Sequence, residues 1–130
     1  MELKDIKRAT LFLSFKDGDG GDYAFLYLID NNQLYATEEN YDFPEVFDTS
    51  SYFDRIDSWH CWEDDILKKY QSLKQMAESI VNVFVELRID ECKGNWDWLS
   101  EDDKYTITIF VGEEKVYEEA FLCRYNKSSR

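Results

Sequence analysis

Leu11, Leu13 and Phe15 alternate with Thr10, Phe12 and Ser14 along residues 8–16, the two-residue period of a strand with one buried face. The run DGDGGD (residues 17–22) interrupts it. Residues 22–30 (DYAFLYLID) resume as a second strand that is apolar on both faces, which predicts a central place in a sheet with a helix on one side and at least partial cover on the other. Asn31-Asn32 then reads as a two-residue hairpin turn, because Asn tolerates the positive φ that such a turn demands, and residues 33–37 pair back as a third, shorter strand.

Farther on, Trp59, Trp62, Ile66, Tyr70, Leu73, Ala77 and Ile80 recur at spacings of three and four. That predicts one long amphipathic helix over roughly 59–79, with Ser58 as its N-cap and Glu63, Asp64 and Asp65 in its early turns. The period returns to two at Val81, Val83, Val85, Leu87 and Ile89, predicting a fourth strand. Tyr105, Ile107, Ile109 and Val111 predict a fifth, and residues 115–125 a sixth after a turn at Gly112-Glu113-Glu114.

The expected fold class is α+β: a mainly antiparallel sheet of about six strands in the order βββ-α-βββ, with the one helix packed on one face. A single domain over residues 1–130 with a frayed tail at 126–130 fits the length. Phe12, Phe84 and Phe110 fall on the otherwise polar sides of their strands, so together they would form an apolar patch on the uncovered face, suited to homo-oligomer formation.

Charge changes the picture between residues 38 and 65. This stretch holds ten acids against one base, Arg55, and so carries net −9 of the chain's −13 in about a fifth of its length. Like charges ~4 Å apart repel by about 1 kcal/mol even in water, so concentrating them opposes folding, and a cationic partner would offset that repulsion. Tyr41, Phe43, Phe47, Tyr52, Phe53, Ile56, Trp59 and Trp62 run through the same acids, a mixture foreign to a solvated tail. A second acidic, tryptophan-bearing connection spans residues 91–103.

The acidic balance, with an isoelectric point near 4.4, excludes nucleic acid as a partner, since phosphate binding draws on clustered Lys and Arg. An anionic membrane surface is disfavoured for the same reason, and no apolar run approaches the ~18 residues of a membrane span. The apolar run after the first basic residues is too short for a signal sequence. Three cysteines, Cys61, Cys92 and Cys123, are an odd, widely spaced set that reads as reduced thiols in a cytoplasmic protein.

Candidate chemistry is sparse. Counted from Asp17 as a calcium loop, the sixth position is Asp22 where glycine is needed and the twelfth is Leu28 where glutamate is needed. His60-Cys61 has no second histidine or Cys-x-x-Cys to complete a zinc site, so no metal and no cofactor are expected. Carboxylates about 5–10 Å apart could serve a glycosidase, but 28 acids will supply such pairs by accident. No Ser/His/Asp set, phosphate-cradling loop or dinucleotide fingerprint is present, and an enzyme is not expected.

The expectation is instead an acidic inhibitor that covers the basic active site of a nuclease or other nucleic-acid enzyme. In size and charge the chain is similar to small immunity or antitoxin proteins and to DNA mimics, a similarity of composition alone. Acids would steer encounter with a basic protein and embedded aromatics would anchor it. The expected contact residues are Asp42, Glu45, Asp48, Tyr52, Phe53, Asp54 and Asp57, with Trp98, Glu101, Asp102 and Asp103 as a second patch. The alternative is a non-enzymatic module that binds carbohydrate or peptide, or associates with itself, through exposed aromatics.

Overall fold

The computed structural model describes residues 1–16, 22–40, 50–91 and 102–124. Its centre is a six-stranded antiparallel sheet. The strands are β1 (Arg8–Lys16), β2 (Asp22–Asp30), β3 (Gln33–Asn40), β4 (His60–Glu63), β5 (Asp102–Val111) and β6 (Glu114–Arg124), in spatial order β4-β3-β2-β1-β5-β6. Short helices α1 (Ser50–Phe53) and α2 (Ile66–Lys69) flank β4, and the long helix α3 is Leu73–Glu91.

An α+β fold with six antiparallel strands and one long helix is what the periodicity predicts, but the order differs. Four strands precede the long helix and two follow it, rather than three and three. Trp59 to Glu63, expected in the helix, is extended, and β4 pairs with β3 with Tyr35 opposite Cys61 and Ala36 opposite His60. Ser58 caps no long helix; it closes a 3-10 turn at Ile56–Ser58. The cap of α3 is Ser72, whose Oγ accepts from the Gln75 N–H at 3.1 Å while Gln75 Oε1 accepts from the Gln71 N–H at 2.6 Å.

The predicted strand from Val81 is the second half of α3. Leu73, Met76, Ala77, Ile80, Val81 and Val85 are buried and Phe84 packs against the same core, at spacings of three and one. Val83 and Leu87, which the strand reading groups with Val81 and Val85, are exposed to 38% and 58%. β-Branched residues favour strands only weakly, and burying one stripe against a sheet outweighs that preference.

α3 covers the face made by Ala9, Leu11, Leu13 and Phe15 of β1, Tyr27 and Ile29 of β2, Leu34 of β3, and Tyr105, Ile107 and Ile109 of β5. The register explains this set: Leu11 stands opposite Tyr27 and Ile109, and Leu13 opposite Phe25 and Ile107, so one parity of each strand faces the helix. β2 is apolar on its other parity as well, and Leu26 and Leu28 are completely buried on the second face. The Asn31-Asn32 turn has φ of 48° and 67°, the two positive values predicted for it.

The three-phenylalanine patch does not form. Phe12 and Phe110 meet edge to face on the second face with centroids 6.2 Å apart, but Phe84 lies on α3 across the sheet, against Phe15, Phe25 and Tyr105. Phe12 is itself 2% exposed. Placing Phe84 on a helix rather than a strand moves its ring to the opposite side of the sheet. Among the described residues no helix is long and apolar enough to cross a membrane.

Candidate partner-binding surface

The second face is covered by the chain from α1 to Trp59. Three tight turns shape this segment: Arg55 N–H donates to the Tyr52 carbonyl at 3.2 Å, Ser58 N–H to Arg55 at 3.0 Å and Trp59 N–H to Ile56 at 3.0 Å. Ser58 Oγ adds a bond to the Arg55 carbonyl at 2.7 Å. This winding turns Tyr52, Phe53, Ile56 and Trp59 onto Phe12, Leu26 and Leu28, and leaves Asp54, Arg55, Asp57 and Ser58 exposed. Tyr52 and Trp59 pack ring to ring with centroids 6.0 Å apart.

Tyr52 and Phe53, expected to anchor a partner, are thus half-buried and hold the segment to its own sheet. Phe53 also lies under Arg8, whose guanidinium is 5.1 Å from the ring centroid while its Nε donates to Asp30 at 2.8 Å. No local pattern relates Arg8 to Phe53 across that separation; the β1–β2 register sets Arg8 opposite Asp30, and the folding of residues 52–59 over the second face brings Phe53 to it.

The acids that follow are engaged within the fold. Asn32 Nδ2 donates to Asp65 at 2.8 Å, Gln33 Nε2 donates to Asp64 at 2.6 Å, and Asn32 Oδ1 and carbonyl accept from the N–H groups of Leu67 and Ile66. These bonds latch the β2–β3 turn to the start of α2, with Asp65 at φ 52° to make the corner. Glu63 accepts from the Tyr70 hydroxyl at 2.6 and 2.7 Å, and Ser79 Oγ lies 3.1 Å from the same hydroxyl. Burial first, then the Glu63 bond, pushes the Tyr70 hydroxyl up to about 12.

Asp54 and Asp57 differ from these. Neither makes a hydrogen bond or ion pair among the described residues, and both stand outward on the segment the aromatics fix. Asp42, Glu45, Asp48, Trp98 and Glu101 lie outside the described residues. Asp102 and Asp103 open β5, in register with Arg124 and Cys123 of β6, and so sit on the other half of the sheet from β3 and β4.

His60 and Cys61 are neighbours on strand β4, where successive side chains point to opposite faces, rather than on a helix. Desolvation, followed by the Asp64 carboxylate, pushes the Cys61 thiol up, away from a reactive thiolate. Among the described residues no group of three His, Cys, Asp or Glu side chains is placed to hold a metal ion. No protein-family model matches the chain, and neither a curated protein nor a solved structure matches it.

Proposed function

We propose that the protein is an acidic inhibitor of the immunity or antitoxin type, or a nucleic-acid mimic, that covers the basic active site of a nuclease or other nucleic-acid enzyme. The observation that carries this reading is the division of labour within residues 52–59. Aromatic side chains sink into the second face, and two acids with no partner among the described residues, Asp54 and Asp57, are held outward on the segment they anchor. Acids presented on an ordered support lose little side-chain freedom when they meet Lys and Arg, and the net −9 over residues 38–65 steers a cationic partner towards them.

The test is capture of a partner from the source extract with the wild-type chain and with an Asp54→Lys/Asp57→Lys variant in parallel, followed by assay of the captured enzyme on nucleic acid with each chain added. Inhibition by the wild type, lost in the variant and weakened by salt, supports the reading. A captured enzyme that both chains inhibit equally, or an affinity indifferent to salt, ends its electrostatic basis.

A further inference from the structure

β6 pairs with β5 on one side, and no described strand pairs with its outer edge. Open edges are normally shortened, bent or otherwise blocked against pairing. The opposite edge follows that rule, since β4 has only four residues. β6 has eleven, and its one irregularity lies near its start, where Phe110 stands opposite Lys115 and Ile109 opposite Tyr117. From Tyr117 to Arg124 the register is unbroken.

A groove of about 360 Å³ runs between this strand and α3, lined by Lys74, Glu78, Val81, Asn82, Glu119 and Phe121 among others. Its acids are unequal. Glu119 accepts from Tyr117 and pairs with Lys74 at 3.4 Å, contacts that lower its carboxyl. Glu78 makes no ion pair or hydrogen bond among the described residues. On the other face of β6, Ala120 is exposed and Leu122 is 54% exposed, an apolar strip beside Glu118.

We propose that the outer edge of β6 accepts an extended segment of a basic protein as a seventh strand, one that alternates basic with apolar side chains. The edge supplies main-chain hydrogen bonds, and strand alternation sends successive side chains to the two faces. On the helix side a Lys or Arg head meets Glu78 while its stem lies over Val81 and Phe121; on the other side an apolar residue covers Ala120 and Leu122. A second copy of this chain fits the edge poorly. Each carries net −13, and pairing two β6 strands would crowd Glu118 and Glu119 of both copies onto one short ribbon. This surface is independent of Asp54 and Asp57.

The test titrates the full chain with a short synthetic peptide alternating arginine and valine, and with a peptide of the same composition in which the arginines and valines form two blocks. The alternating peptide is expected to bind tighter, to protect the β6 amides from hydrogen exchange, and to lose about tenfold in affinity on Glu78→Lys while Asp54→Lys/Asp57→Lys leaves the preference for alternation intact. Glu78 is exposed, so the variant retains the fold, which a denaturation curve checks. Equal binding of the two peptides, protection away from β6, or no effect of Glu78→Lys overturns the proposal. So does a peptide-free dimer, seen by sedimentation, that protects the β6 amides by itself.

Discussion

Arg8 stacks over Phe53, its guanidinium carbon 5.1 Å from the ring centroid, and so ties the first strand of the sheet to the segment that carries Asp54. Arg8 Nε also donates to Asp30 at 2.8 Å, which fixes the plane the ring meets. Phe53→Ala removes both the ring's burial on the second face and this contact. The expected cost is about 2–3 kcal/mol in urea denaturation, the sum of lost apolar burial and a cation–π term of ~0.5–1 kcal/mol. Phe53→Leu restores most of the apolar part alone, so the difference between the two variants reads the contribution of the ring face.

Asp54→Lys/Asp57→Lys is expected to leave stability within about 0.5 kcal/mol of wild type or to raise it, because the two acids make no bond within the described fold and stand in a strongly anionic stretch. Any gain shrinks as salt is added, since it comes from relieved repulsion. Urea curves at low and high salt check this. A large loss at both would mean that the acids support the turn they sit on.

β1 and β5 were legible because they alternate cleanly: Leu11, Leu13, Phe15 and Tyr105, Ile107, Ile109 each name one buried face, whereas β4 lies inside the stretch whose spacing is helical. The helix was misplaced because Trp59 and Trp62 stand at helical spacing from Ile66, although Asp65, at φ 52°, turns the chain between them. Ser72-Leu-Lys-Gln75 has the spacing of a capping box and was the available signal for the true start. That the second face is covered was legible in β2, apolar on both parities, but which residues cover it was not, because Phe53 meets Arg8, and Trp59 meets Tyr52, only after the sheet has set their positions.

The second half of α3, whose valines alternate as in a strand, offers its own test. In a strand Val81 and Val83 would share a face and respond alike to alanine. In the helix Val81→Ala opens a hole beneath a residue 1% exposed and costs about 2 kcal/mol, whereas Val83→Ala, at 38% exposure, gains helix propensity and changes stability by at most ~0.5 kcal/mol. Urea midpoints for the two single variants decide between these outcomes.

Tyr70 links α2 to Glu63 of β4, and its raised pKa makes that link pH-dependent. The folded state favours the protonated phenol, so its contribution is fully present below the ordinary tyrosine value of 10 and is lost as pH rises through about 12. Tyr27, held at about 12 by burial alone, contributes in the same window and with the same sign. Melting temperature should therefore be flat with respect to these two groups up to about pH 10 and fall above it. Tyr70→Phe is expected to lower stability at neutral pH through the lost Glu63 bond and to make the alkaline fall shallower, while Tyr27 preserves part of it. A fall of unchanged steepness in Tyr70→Phe would assign the alkaline transition to other groups and remove the Tyr70–Glu63 bond from the account of stability.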